Sequence, residues 1–202
     1  MKVLLINGSP HAKGCVYTAL SEVQDTLQQE GLETQLVHIG TKAVHGCIAC
    51  GRCFETGACI FGDDIVNQII DSAKECDGFV VGSPVYYAAP NGALCAILDR
   101  VFYAGGYALA GKPAAAVVSC RRGGASAAFD RLNKYFTINQ MPVASSQYWN
   151  SVHGFTPEDV RKDLEGLQTM RVLARNLARL IRATDGVPMP KAEDRLMTNF
   201  ID

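Results

Sequence analysis

The chain has 202 residues, of which 48% are hydrophobic and 19% charged, as is ordinary for a globular enzyme of one large domain. A net charge of −1 excludes the strongly basic surface that binds nucleic acid or an anionic membrane. No apolar run reaches the roughly 18–20 residues of a membrane helix, and eight cysteines without a signal peptide indicate a reducing compartment. We therefore expect a cytoplasmic protein with free or ligating thiols.

The first half of the chain alternates short apolar runs with helical patterns. An apolar run over residues 2–7 ends in a Gly-Ser-Pro turn and predicts a buried strand. A helix over residues 14–30 follows, because its apolar residues repeat at helical spacing. A second strand covers residues 34–39 and leads into a cysteine-rich loop. Two aspartates then begin a helix over residues 63–75.

The second half repeats the same alternation three times. Its last helix is the clearest, because Thr156 as the N-cap precedes Pro157 at the first helical position. The predicted strands cover residues 78–82, 113–120 and 142–146, and the predicted helices cover residues 90–103, 124–139 and 156–181.

Five apolar strands that alternate with five helices predict an α/β domain with a parallel sheet covered on both faces. In such sheets the ligand lies beyond the carboxyl ends of the strands. The candidate site therefore consists of the loops over residues 9–17, 83–92 and 119–124.

The first of these loops joins a strand to the N-terminus of a helix, where free amides and the helix dipole favour a phosphate. Ser9 and Thr18 offer hydroxyl donors, and His11 and Lys13 offer positive charge. Neither the P-loop motif nor the dinucleotide-binding fingerprint is present. An ordinary strand-to-helix turn therefore stays open as the alternative.

The second and third loops carry groups suited to a flat aromatic ligand. Tyr86 and Tyr87 at the sheet edge are placed to flank such a ligand, although tyrosines that cover the core or an interface are the alternative. The run SCRRGGAS offers glycine amides and two arginines to a ring carbonyl that gains negative charge. A solvated charged turn is the alternative for this loop.

Four cysteines lie within thirteen residues at the spacing C-x2-C-x2-C-x5-C. Compact x2 spacing is typical of an iron–sulfur cluster, whereas structural zinc sites usually separate two cysteine pairs by a longer insert. A [4Fe–4S] cluster, a zinc ion and a folded loop without metal all stay open. The candidate ligands are Cys47, Cys50, Cys53 and Cys59.

The loops together resemble the flavodoxin-like NAD(P)H-dependent FMN reductase family. The resemblance is carried by GSP-x3-G after the first strand, GSPVYY after the third and the arginine–glycine loop after the fourth. The cysteine run followed by Asp63-Asp64 is similar to the branch called iron–sulfur flavoproteins. The resemblance implies a flavodoxin-like doubly wound fold with sheet order 2-1-3-4-5, bound FMN, and a homodimer or homotetramer.

The resemblance also implies which residues contact FMN. The first loop becomes a phosphate cradle, the second lines the isoalloxazine and the third approaches its pyrimidine end. Val16 stands where the family usually has threonine or serine, so we expect one lost hydrogen bond and FMN affinity about ten- to a hundredfold weaker. The implied contacts are Ser9, His11, Gly14, Cys15, Val16, Tyr17, Pro84, Val85, Tyr86, Tyr87, Ser119, Arg121, Gly123 and Gly124.

Three functions follow as hypotheses. The first is an enzyme that passes electrons from NAD(P)H through FMN to a flavin, quinone, nitro compound or other small acceptor. The second is an electron-transfer protein in which FMN and a [4Fe–4S] cluster exchange electrons with a redox carrier protein. The third is an FMN-free metal- or redox-sensing module. No side chain is predicted to act as a catalytic acid, base or nucleophile.

The chain is expected to divide into an FMN-binding domain over residues 1–183 and a C-terminal arm over residues 184–202. The arm has two prolines and no helical pattern. Its apolar residues Leu196, Met197, Phe200 and Ile201 suggest that it packs on a partner subunit.

Overall fold

The computed structural model describes residues 1–191, 193, 194 and 196–198. Its strands are β1 (Lys2–Asn7), β2 (Glu33–His38), β3 (Gly78–Tyr86), β4 (Ala89–Pro90), β5 (Ala114–Cys120) and β6 (Ser151–His153). Its α-helices are α1 (Cys15–Gln29), α2 (Cys53–Thr56), α3 (Val66–Lys74), α4 (Gly92–Gly105), α5 (Ala125–Ile138), α6 (Pro157–Lys162) and α7 (Leu164–Thr184).

Five strands form a parallel sheet in the order β2-β1-β3-β5-β6. The two-residue strand β4 lies off this path and pairs antiparallel with the end of β3. With β4 set aside, the order is the predicted 2-1-3-4-5, and the predicted flavodoxin-like α/β class is confirmed. Among the described residues no helix is both long and apolar enough to cross a membrane.

Alternating side chains of the central strands build a core on each face of the sheet. Val3 and Leu5 point to one face, where α1 and α7 pack against each other. Leu4 and Ile6 point to the other face, which α3, α4 and α5 cover. Because both faces are buried, the strands are continuous apolar runs, which is why the sequence predicts them.

The fifth parallel strand lies later in the chain than predicted. Residues 142–146 do not form a strand, and Val143 makes only an isolated bridge with Ala114. The chain then leaves the sheet, and the side-chain amide of Asn150 donates to the Ala116 carbonyl at 3.0 Å where a strand amide would donate. Pairing resumes over three residues, Ser151–His153, a segment too short for its alternation to be recognised.

Two helix predictions also change. The helix expected over residues 156–181 is divided at Asp163, whose carboxylate accepts from the Gly166 amide at 2.9 Å and so caps a new helix. The helix expected from residue 63 begins at Val66, because the Asp64 carboxylate accepts from the Val66 amide at 3.1 Å. A four-residue helical turn, α2, lies inside the cysteine loop.

The described part of the C-terminal arm lies along its own chain. Met189 and Pro190 line a groove together with Phe102 of α4 and Tyr135 of α5. Leu196 and Met197 are 95% and 79% exposed, whereas Phe200 and Ile201 lie outside the described residues. The division at residue 183 and the contact of the arm with a partner stay predictions.

Candidate functional site

The three predicted loops meet at the carboxyl edge of the sheet. β1 ends at Asn7 beside Gly82 of β3, and Pro84 of β3 lies beside Ser119 of β5. The amide of Gly8 donates to the Gly82 carbonyl at 2.8 Å. A Cβ at Gly8 would lie 2.7 Å from that carbonyl oxygen, so only glycine allows the first two loops to approach this closely.

The first loop is held rigid by hydrogen bonds to polar groups at the strand ends. The Ser9 amide donates to the Asn7 side chain at 3.1 Å, and the His11 amide donates to the Ser9 hydroxyl at 3.1 Å. The ring of His38, at the end of β2, lies 2.8 Å from the Ser9 carbonyl. These bonds leave His11 exposed at the mouth of the loop.

The N-terminus of α1 follows this loop. Gly14 is its N-cap, and no side chain caps the helix there. The amides of Cys15, Val16 and Tyr17 occupy the first helical turn, where backbone donors lack helical acceptors and attract an anion. The loop thus presents backbone donors and the dipole end of a helix at the sheet edge.

The side chains on this turn face different ways. Val16 is 1% exposed and packs in the core against Leu20 and Gly82. Cys15 is partly buried, with its thiol 3.9 Å from the Gly154 carbonyl, and burial raises the pKa of that thiol. Tyr17 is partly exposed.

The second loop is a tight hairpin between β3 and β4. Val85 pairs with Pro90 and Tyr86 with Ala89, so Tyr87 and Ala88 form the turn. Both turn residues have positive φ, 50° and 59°, a conformation that costs non-glycine residues about 1–2 kcal/mol each. Tyr86 is 45% exposed and Tyr87 fully exposed, which places two aromatic rings at the rim of the site.

The third loop packs against this hairpin. Gly124 has φ +87°, and a Cβ there would lie 2.9 Å from the Ala88 Cα and 3.1 Å from Val85 Cγ1. Glycine is therefore required at position 124, because other residues disfavour this φ and their Cβ would clash with the hairpin. Ser119 is buried at the end of β5, whereas Arg121 and Gly123 are exposed.

A fourth loop, His153–Thr156, lies at the same edge and was not predicted. The Gly154 amide donates to the Cys120 carbonyl at 3.1 Å, which joins it to the third loop. The guanidinium of Arg121 lies 5.9 Å from the centre of the exposed Phe155 ring. The capping box that follows this loop is recognisable in the sequence, but the strand that precedes the loop is too short to be recognised.

The four cysteines of the cysteine loop line one cavity. The cavity has a volume of about 340 Å³ and lies between this loop and α4. Cys47 and Cys50 are exposed, whereas Cys53 and Cys59 are partly buried. Burial raises the pKa of the Cys53 thiol, and the other three thiols add to the rise because they lie nearby. The remaining wall is mainly apolar and includes Ile48, Phe54, Ile60, Phe61, Tyr103 and Ala104.

The cavity offers four sulfur donors to a metal centre. In the described ranges, no three His, Cys, Asp or Glu side chains converge closely enough to hold a metal ion. Zinc needs each thiolate sulfur about 2.3 Å from a single ion, whereas a cluster interposes iron and sulfide between the thiolates. Four sulfurs around one apolar cavity therefore fit the donor set of a cluster. One buried cation, Arg100, donates to the Cys59 sulfur at 3.1 Å.

Comparisons with known proteins give matches over most of the chain. The family model for NADPH-dependent FMN reductase matches residues 1–156. An iron–sulfur flavoprotein of Methanocaldococcus jannaschii is 32% identical over 190 residues, which cover 90% of this chain and 98% of the relative.

Solved structures share the fold at lower identity. RosB with a bound 8-demethyl-8-formylriboflavin-5′-phosphate intermediate superposes with a TM-score of 0.75 at 13% identity, covering all of this chain and 91% of RosB. A flavodoxin from the domain Archaea gives a TM-score of 0.60 at 15% identity, covering 90% of this chain and 99% of the flavodoxin.

Proposed function

Because the chain belongs to the NADPH-dependent FMN reductase family and to its iron–sulfur flavoprotein branch, and is an oxidoreductase, we propose that it is a two-centre electron-transfer flavoprotein. It takes electrons from a nicotinamide at FMN and passes them through a [4Fe–4S] cluster to a redox carrier. The observation that carries the proposal is the single cavity lined by all four predicted cysteines.

The chain's own residues would hold FMN at the carboxyl edge. The backbone amides in the first turn of α1 would donate hydrogen bonds to the phosphate, with Ser9 and His11 beside it. The residues 84–87 would line the ring, and the amides of Gly123 and Gly124 would donate to its carbonyls. When bound, FMN supplies hydride acceptance from a nicotinamide and release of single electrons.

The cluster would be held by Cys47, Cys50, Cys53 and Cys59. Its loop follows β2, whose last residue His38 contacts Ser9 of the phosphate loop. The loop carrying the thiols and the loop carrying the phosphate therefore leave neighbouring strands of the same sheet edge. This proximity supports electron exchange between the two centres.

A second candidate function is an FMN reductase that uses small acceptors and carries no cluster. The exposure of Cys47 and Cys50 favours it, because ligands of a buried cluster are usually covered. In this case a flavin, quinone or nitro compound would take electrons directly at the rim formed by Tyr86 and Tyr87.

Anaerobic reconstitution with FMN, iron and sulfide tests the two candidates. We expect about one FMN and four iron atoms per chain, and bleaching of the flavin absorbance by NADPH or NADH. Bound flavin with no iron or sulfide would select the reductase. A chain that binds no flavin would contradict both.

Cys53→Ala tests whether the four cysteines together hold a cluster, as a four-cysteine cage. We expect it to abolish bound iron while leaving FMN affinity unchanged, because Cys53 lines the cavity and does not belong to the three flavin loops. Cys95→Ala is the matched control, since this partly buried cysteine of α4 does not line the cavity. Iron that survives the Cys53 change would reject the four-cysteine cage.

A further inference from the structure

Arg100 of α4 extends its guanidinium into the cysteine loop. The residue is only 2% exposed, and all five of its N–H donors have acceptors. Nε donates to Cys59 Sγ at 3.1 Å, Nη1 to the His45 carbonyl at 3.3 Å, Nη2 to the Phe61 carbonyl at 3.3 Å, and both terminal nitrogens to the Asp64 carboxylate.

These acceptors lie on both sides of the thiols. His45 precedes the first cysteine by two residues, and Cys59 is the last of the four. The Phe61 ring stacks on the His45 ring, with centroids 4.4 Å apart, and the guanidinium lies 5.1 Å from the Phe61 centroid. One buried side chain therefore joins the two ends of the cysteine loop.

The acceptor of the Arg100 Nε–H is a sulfur atom, and the strength of this hydrogen bond depends on the charge of the sulfur. A neutral thiol is a weak acceptor, whereas hydrogen bonds to charged groups are worth about 1.5–3 kcal/mol. The hydrogen bond from Arg100 Nε to Cys59 Sγ would therefore be strongest with this sulfur as a thiolate ligand of the proposed centre. Hydrogen bonds to cluster sulfurs are one of the terms that set a cluster's reduction potential.

We propose that Arg100 is a positioning residue for the cysteine centre. It holds Cys59 at the cavity wall, fixes the two ends of the loop, and stabilises the extra negative charge of the reduced centre. The effect on charge rests on the proposed function, whereas the effect on Cys59 concerns the chain without metal.

Arg100→Lys is the informative variant, because it keeps the charge opposite Asp64 and removes the planar fork of donors. Arg131→Lys is the matched control, since it changes a half-exposed arginine on α5 that lies 3.8 Å from Asp99. Thermal unfolding of both variants establishes that they are folded. Two measurements then follow, one without metal and one with it.

The first measurement is the alkylation of each cysteine by iodoacetamide in metal-free protein, mapped by mass spectrometry. On the alkaline plateau of the pH–rate profile, where the thiol is fully deprotonated, we expect Cys59 to react at least about tenfold faster in Arg100→Lys, because the hydrogen bond that stabilises the thiolate is lost. The rates at exposed Cys47 and Cys50 should change little, and Arg131→Lys should match the wild type. An unchanged Cys59 rate would overturn the proposal.

The second measurement is the reduction potential of the reconstituted centre. We expect Arg100→Lys to shift it to a more negative value and Arg131→Lys to leave it unchanged. An identical potential in Arg100→Lys would overturn the claim that the hydrogen bond from Arg100 to Cys59 stabilises the reduced centre. If the wild type assembles no iron and sulfide, the proposed function fails, and the alkylation rate still decides whether Arg100 positions Cys59.

Discussion

At the scale of the residue, Val16 makes the sharpest prediction about flavin binding. It is the second residue of α1, so a hydroxyl in place of one of its methyl groups would add a donor beside the free amides. We expect Val16→Thr to tighten FMN binding by about ten- to a hundredfold in a fluorescence titration.

Val23 provides the control, because it is also fully buried on α1 but lies two turns from Val16. Val23→Thr should lower the melting temperature and leave FMN affinity unchanged. If Val16→Thr behaves in the same way, its side chain faces only the core and the hydroxyl argument is wrong.

At the scale of the element, the capping box at the start of α6 holds the fourth loop in place. The Asp159 carboxylate accepts from the amides of Phe155 and Thr156, at 3.2 and 3.1 Å. These bonds hold the pKa of Asp159 below its ordinary value of 3.8. A carboxylate with a lowered pKa stabilises the fold above its unfolded pKa, and the effect is lost as pH falls through the folded pKa.

We therefore expect Asp159→Asn to lower the melting temperature near neutral pH. The difference from the wild type should shrink as the pH falls below about 4 and vanish in stronger acid. Asp25→Asn, at an exposed position of α1, is the control for the loss of one carboxylate. A difference for Asp159→Asn that stays constant with pH would contradict the carboxylate's role.

Some helices and strands could be predicted from the sequence, and others could not. The buried strands and the helix of residues 14–30 are predicted because both faces of a parallel sheet demand apolar runs and amphipathic stripes. The split edge strand is missed because Asn150 replaces a strand amide with its side chain, which leaves no period-two pattern. The break at Asp163 is missed because an aspartate within a helical pattern also occurs on solvated faces.

At the scale of the whole molecule, the exposed apolar residues of the arm predict assembly. Leu196 is 95% exposed, whereas Met189 and Pro190 of the same arm line a groove beside α4 and α5. If the arm packs on a partner subunit, Leu196→Asp should lower the mass measured by light scattering. Leu164→Asp is the control, since this leucine is 75% exposed at the start of α7. Equal masses for both variants would contradict an interface at the arm.

The meeting of the three loops over residues 9–17, 83–92 and 119–124 could be predicted from topology alone, because parallel strands bring their carboxyl ends to one edge. The contact by which Arg100 joins the two ends of the cysteine loop could not be predicted. Cys59 and Arg100 are 41 residues apart in the chain, and no periodicity relates them. Arg100 lies on a helix whose pattern predicts only an apolar face, so its burial and its five acceptors emerge only from the packed structure.

The hairpin at Tyr87 and Ala88 has a consequence for the thermodynamics of recognition. Its two left-handed residues raise the energy of the free protein, and Gly124 packs directly against the turn. A flat ligand that arrives there meets aromatic rings on a backbone that is already ordered. Ordering one rotamer-rich side chain on binding costs about 0.5–1.5 kcal/mol, so the exposed side chains of Tyr86 and Tyr87 still lose freedom when a ligand binds. Folding has already ordered the backbone that carries them, so the entropy cost of association at this rim falls on the side chains.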